Sequence, residues 1–318
     1  MKKRAAIILF TAALLSGTAG ASAEDQTYKI GICQLIQHEA LDTATQGFKD
    51  ALTDKFGDNV EFMERNAQGD FYLCSTIINE FVSGNADLIL ANATASLQAA
   101  ATATDQIPIL GTSVTEYGVA LELDDFDGTV GGNISGTSDL APLDAQADMI
   151  AELFPDAENV GLLYCSGEPN SGYQIDVVSK ELESLGYSCT EYGFVDSNDL
   201  ASVVMQAASN CDVLYVPTDN TAASNAELIA NVCIPEEIPV VTGEEGPCRI
   251  CGAATLTISY YDLGYATGEM AVRILADGED ISTMPIEYAP VFKKKYNKEI
   301  CGKLGIEVPD DYEELETE

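Results

Sequence analysis

Two polar clusters stand where an apolar run gives way to a helical pattern. Thr218, Asp219 and Asn220 follow Asp212-Val213-Leu214-Tyr215-Val216-Pro217, and Thr94 and Ser96 follow Asp87-Leu88-Ile89-Leu90-Ala91-Asn92-Ala93. Hydroxyls, an amide and one carboxylate at such junctions suit the capture of a small molecule. In parallel sheets, ligands collect outside the carboxyl ends of the strands, where loops and helix N-termini converge. The same side chains also serve as helix caps, a role that coexists with ligation. Thr115 and Glu244 sit at two further strand ends, Asn170 and Ser171 at the start of a helix, and Gln37 and His38 in the loop after the first strand. His38 is the only histidine of the chain. No G-x-S-x-G elbow, phosphate-binding glycine loop or His-rich metal pattern accompanies it, so it reads as a structural or ligand-lining histidine. No catalytic residue, metal or cofactor is expected.

The elements that must position these residues form a repeat. Each apolar run and its helix lead to an Ile-Pro pair opening another run, Ile107-Pro108-Ile109-Leu110 and Ile238-Pro239-Val240-Val241. One βαβ unit thus occurs twice, and 318 residues suit two domains. The spacing predicts strands at Tyr28–Cys33, 60–63, Val160–Tyr164, Cys189–Val195 and Ala254–Ser259. Helices are predicted at Leu41–Phe56, 71–81, Leu143–Phe154, Ser171–Leu185, Leu200–Ala208, Ala222–Val232 and Tyr261–Leu275. Alternation of this kind argues for an α/β fold of two Rossmann-like lobes with parallel sheets facing a central cleft. A strand at 129–136 is read as crossing between lobes, and the Glu-rich segment from Pro309 as a solvated end. The expected division is lobe 1 over 24–136 plus about 259–288, and lobe 2 over 137–258 plus about 289–318. Hinges are expected near Ser135–Asp139, Thr257–Tyr260 and Tyr288–Val291.

Lys2-Lys3-Arg4, the apolar stretch from Ala5 to Leu15 and Ala21-Ser22-Ala23 have the three regions of a secretory signal peptide, with cleavage expected after Ala23. The formal charge is -37, and losing three cations and no acids with the signal leaves -40. Such acidity excludes nucleic acid as a partner and is read mainly as solubility. Nine cysteines leave at least one without an internal partner. Cys248 and Cys251 have Cys-x-x-Cys spacing between Gly246-Pro247 and Gly252. Redox, metal and local-disulfide readings compete there; a Gly/Pro-bounded loop favours the disulfide clip.

Six motifs in order carry a family resemblance over about Tyr28 to Ile306: His38-Glu39-Ala40-Leu41-Asp42, Asn66-Ala67-Gln68-Gly69-Asp70, Asp139-Leu140-Ala141-Pro142-Leu143, Asn170-Ser171, Val216-Pro217-Thr218-Asp219-Asn220 and Tyr260-Tyr261-Asp262-Leu263-Gly264. The chain resembles the extracytoplasmic solute-binding proteins of ABC importers, in particular the subfamily associated with tryptophan and other aromatic amino acids. The resemblance implies the type I periplasmic binding fold, a small-molecule solute (an aromatic amino acid), and an ABC permease with its ATPase as partners. A ligand-sensing module for a membrane receptor, or a binder of a sugar or nucleoside, is the alternative. For an amino acid, Thr94 and Ser96 at a helix N-terminus would take the carboxylate, Asp219 or Glu244 the ammonium, and Asn170 and Ser171 would close over it. Two departures stand out. Thr18 follows Leu14-Leu15-Ser16-Gly17 where a lipobox would place a cysteine, which implies a protein that is periplasmic, released, or retained by another subunit. The stretch holding Cys248 and Cys251 is also unlike the family's usual sequence.

Overall fold

A computed structural model of the chain describes residues 27–316, so the expected signal peptide lies outside the described residues. The first series of elements is β1 (Tyr28–Gln34), α1 (Glu39–Phe56), β2 (Val60–Asn66), α2 (Phe71–Ser83), β3 (Leu88–Asn92), α3 (Thr94–Ala103), β4 (Ile109–Val114), the short α4 (Tyr117–Ala120) and β5 (Ile134–Ser138). The second is α5 (Leu143–Leu153), β6 (Asn159–Cys165), α6 (Pro169–Ser184), β7 (Ser188–Phe194), α7 (Ser197–Ala208), β8 (Val213–Val216), α8 (Asn220–Ser224), α9 (Ala226–Cys233), β9 (Val240–Thr242), α10 (Glu245–Ile250) and β10 (Ala254–Thr257). The chain ends through α11 (Tyr260–Val272), β11 (Glu287–Tyr288), β12 (Lys293–Tyr296), α12 (Lys298–Leu304) and β13 (Glu313–Glu314).

Two sheets result, in the orders β11-β5-β4-β3-β1-β2 and β13-β12-β10-β9-β8-β6-β7. The named strand pairs are parallel except β10 with β12. The chain passes from one sheet to the other after β5, after β10, and between β11 and β12.

The twin units explain why both sheets are covered on two faces. In β3, Ile89 and Ala91 enter one core while Leu88 and Leu90 enter the opposite one. In β8, Val213 and Tyr215 face one core, Leu214 and Val216 the other. A strand buried on both faces needs an unbroken apolar run, which both sequences supply. Each buried leucine, isoleucine or valine among them contributes roughly 1.5–3 kcal/mol. Helix α11 returns to the first sheet and packs on α1 through glycines: a β-carbon at Gly264 would lie 1.9 Å from the Ala44 carbonyl oxygen, and one at Gly268 2.6 Å from Ala51 Cβ.

Several expectations need correction. The helix read over 222–232 is two helices broken at Asn225, whose side chain donates to the Thr221 carbonyl at 2.8 Å and whose backbone leaves helical geometry (φ -123°, ψ 23°). The strand read as crossing at 129–136 is β5, paired with β4, and the chain changes sheets only beyond it. The acidic C-terminal segment is not merely solvated. Tyr312 and Leu315 are buried, and Lys293 and Lys298 pair with Glu313 and Glu314 at 3.0 and 2.9 Å, so these four consecutive residues anchor the tail beside β12. Cys248 lies within α10 and Cys251 caps it. Both are buried free thiols rather than a disulfide, and the Cys251 thiol donates to the Pro247 carbonyl at 3.2 Å, a bond within one helical turn.

Candidate functional site

The carboxyl ends of β3 and β4 leave ordinary backbone geometry. Ala93 (φ 88°) and Ser113 (φ 53°) are buried non-glycine residues in the left-handed region, a conformation that costs of order 1–3 kcal/mol and concentrates at ligand clamps. Ala93 is held by its N–H donating to the Thr112 carbonyl at 3.0 Å. It also starts α3 without any side-chain cap, so the N–H groups at the tip of α3 keep their affinity for an anion. Thr94 is buried at that tip. Ser96 is buried too, but its hydroxyl lies 3.7 Å from the Cys74 thiol, inside the first lobe's core.

Across the cleft, Glu168 organises the second lobe. Its Oε1 accepts from the Thr221 N–H (2.8 Å) and hydroxyl (2.7 Å). Its Oε2 accepts from the Asn220 N–H (3.1 Å) and side-chain amide (2.7 Å), and from the Asn170 amide (3.3 Å). Asp219 caps α8 by accepting from the Ala222 N–H at 2.8 Å, while its other oxygen accepts from the Cys165 N–H at 2.7 Å. The carboxylate therefore ties β8 to the end of β6. Burial and the neighbouring Glu168 charge raise its pKa to about 7; the N–H donors and the Ser171 hydroxyl oppose that rise. Thr218 is fixed by Gln174, which accepts from its N–H at 3.0 Å and donates to its carbonyl at 2.9 Å. Gly243 lets β8 and β9 end side by side: a β-carbon there would meet Thr218 N at 2.5 Å.

Glu244 comes next, 1% exposed, and among the described residues no donor reaches either of its carboxyl oxygens. Burial first, then the charges of Asp139, Asp219 and Glu168, push its pKa well above the carboxylate range. Asp139, just after β5, accepts from the Tyr260 hydroxyl at 3.0 Å through one oxygen; its Oδ1 has no hydrogen-bond partner among the described residues. Burial raises Asp139 to about 6 against the hydroxyls of Thr115 and Tyr260. Asp139, Glu168, Asp219 and Glu244 are the buried carboxylates among the described residues, all gather here, and no buried lysine or arginine joins them.

The lobes meet at His38, which precedes α1 and stands 3.2 Å from Asn220 Oδ1. Because the Asn220 amide nitrogen is spent on Glu168, its oxygen faces the ring, and His38 Nε2 donates. Burial lowers the His38 pKa, consistent with a neutral ring. A cavity of about 270 Å³ opens between the lobes, lined by Leu35, Phe71, Ala95 and Ala99 on one side and Glu168, Asn170 and Asn220 on the other.

The structure thus brings His38, Asn170, Ser171, Thr218, Asp219, Asn220 and Glu244 to one cleft, with Thr115 joined to it through Asp139. Gln37 lies on an exposed loop, and Ser96 faces the core. Sequence reasoning missed Glu168, Gln174, Asp139 and Tyr260 as site residues. Asp139 and Tyr260 stood in two of the quoted motifs, whereas Glu168, in the loop before α6, gave no signal of its own.

Two parallel-dominated α/β sheets, joined by three crossings and facing a polar cleft, define a type I periplasmic binding protein. The ABC transporter substrate-binding protein family matches residues 29–317, and the chain belongs to that family. It is 37% identical to the tyrosine-binding protein of Clostridioides difficile over 81% of this chain and 75% of that one. Among solved structures it is similar to an ABC domain in complex with L-Trp from Streptococcus pneumoniae, with TM-score 0.86 and 30% identity over 90% of this chain and 97% of that one. It is also similar to the ligand-free, open structure of a substrate-binding protein with adhesive properties from Clostridium difficile, with TM-score 0.70 and 37% identity over 92% and 100%. The less identical of these two chains superposes better.

Proposed function

We propose that this chain captures an aromatic amino acid between its two lobes and presents it to an ABC permease and its ATPase. The observation that carries the reading is the buried Glu244 carboxyl with no donor, set among acidic neighbours where no lysine or arginine is buried. A buried carboxylate without a partner is costly, and a ligand ammonium supplies the missing donors. The uncapped tip of α3, with Thr94, would take the ligand carboxylate, and the cavity beside Phe71 and Leu35 would receive the ring. Relatives named for tyrosine binding and solved with L-Trp support the same class of ligand.

In this reading residues 1–23 direct export and are removed after Ala23, and the protein works outside the cytoplasm as a binder rather than an enzyme. Among the described residues no helix is long and apolar enough to cross a membrane. Lobe 1 comprises 24–136 plus about 259–288 and lobe 2 comprises 137–258 plus about 289–318, with the three crossings as hinges.

A thermal-shift screen over amino acids, sugars and nucleosides tests the proposal. A true ligand at a hundred times its Kd adds about 2.7 kcal/mol of stability. Tyrosine, tryptophan or phenylalanine should raise the melting temperature; a shift with a sugar or nucleoside and none with these three would overturn the ligand class.

A further inference from the structure

The four buried carboxylates of the cleft are not equivalent. Glu168 and Asp219 spend both oxygens on donors, Asp139 spends one on Tyr260, and Glu244 spends neither. The adjoining Glu245 already holds two cations, pairing with Arg249 and with Lys295 (2.6 Å), and Arg249 is further shared with Glu39 at 3.2 Å. Neither cation is therefore free to neutralise Glu244.

An ionised Glu244 would face Asp139 from the end of β5, Asp219 from the tip of α8, Glu168 from the loop before α6 and Glu39 from the start of α1. Tyr260, at the start of α11, also lies within its field. In a water-poor site so crowded with acids, the charged form of the group that lacks donors is the least favoured.

We propose, resting on the amino-acid reading above, that Glu244 holds a proton before the ligand enters and gives it to solvent as the ligand's ammonium group takes its place. One O–H bond on Glu244 breaks, the proton passes to buffer, and the ammonium keeps its three N–H bonds, donating at least one of them to the new carboxylate. At Glu244 capture is then an exchange of one cation for another, and because the zwitterion brings its own carboxylate, the formal charge of the cleft falls by one. The exchange also sets a chemical requirement on the ligand. A deaminated analogue, such as 3-(4-hydroxyphenyl)propionate, leaves Glu244 protonated and releases nothing.

Calorimetric titration of the whole mature protein with L-tyrosine and L-tryptophan, at one pH in phosphate and in imidazole, counts the protons released from the difference in heat. The expected result at pH 6.5 is about one proton released per ligand, with Kd tightening by up to about tenfold per pH unit over the range where Glu244 is still protonated in the free protein. The deaminated analogue should show the same heat in both buffers. In Glu244→Gln, which has no proton to give, release should vanish and Kd should flatten with pH. If that variant does not bind, Asp139→Asn is titrated instead; losing a neighbouring charge should reduce the release at the same pH. Wild-type heats that agree in both buffers, or release that persists in Glu244→Gln, would overturn the proton exchange while leaving the amino-acid reading standing. No binding of any aromatic amino acid would bring both down.

Discussion

His38 Nε2 lies 3.2 Å from Asn220 Oδ1, a hydrogen bond between the residue that precedes α1 and the first residue of α8, helices that follow strands of different sheets. Asn220 can present its oxygen because Glu168 holds its nitrogen at 2.7 Å. The three residues thus form one relay from the first sheet's side of the cleft to the second's.

Replacing His38 with alanine should therefore weaken ligand binding without unfolding either lobe. A hydrogen bond is worth about 0.5–1.5 kcal/mol net, so Kd should rise about twofold to tenfold. Calorimetric titration, with the melting curve of the unliganded variant recorded alongside, checks both halves. An unchanged Kd would show that the contact does not bias closure. Scattering on the wild type should give a smaller radius of gyration with saturating ligand, as hinge closure requires.

Asp219 has both oxygens committed to backbone N–H groups, at Ala222 and Cys165. Asp219→Ala removes a cap worth about 1 kcal/mol and leaves a buried N–H unpaired at about 1–3 kcal/mol, for a loss of roughly 2–4 kcal/mol in denaturant unfolding. Glu244→Ala should show the reverse pattern, with binding lost far more than stability. Equal effects on affinity in both variants would return the ammonium role to Asp219.

Stability should depend on pH in a direction opposite to the usual acidic case. Burial raises Asp139 to about 6 and, with Glu168, raises Asp219 to about 7, both above their unfolded value of 3.8. The folded state then binds more protons than the unfolded one between those values. Their contribution is fully present below about pH 4 and is lost as pH rises through 6 and 7. His38, with its lowered pKa, works the other way below its ordinary 6.5, so the variant isolates the carboxylate. In urea unfolding at pH 5 and pH 8, the wild type should lose roughly 1–3 kcal/mol more than Asp139→Asn does. Parallel pH profiles for the two proteins would place Asp139 in ordinary surroundings.

Gly264 lets α11 touch α1 at backbone distance. Gly264→Ala drives a methyl group against the Ala44 carbonyl, and overpacking of this kind costs typically 1–3 kcal/mol, occasionally more. The exposed Gly302, with nothing within 4 Å of its added carbon, serves as control. Its alanine variant should match or exceed wild-type stability, because alanine favours the helix.

The doubled βαβ unit follows from residue order alone. Strands buried on both faces require uninterrupted apolar runs, and Leu88–Asn92 and Val213–Val216 were legible for that reason. Residue order also marked Thr94, Asp219, Asn220 and Glu244, since strand ends and helix starts are local features. What each does there was decided only by the tertiary structure. Asp219 and Glu244 are both acids at successive strand ends, yet one meets two N–H groups from elements 54 and 3 residues away and the other meets none. The break at Asn225, the anchoring of the tail through Tyr312, and the gathering of Glu168 with Asn220 across 52 residues likewise depend on neighbours distant in sequence. A carboxylate's role follows from its donors and its dielectric surroundings, and folding, not local residue order, supplies both.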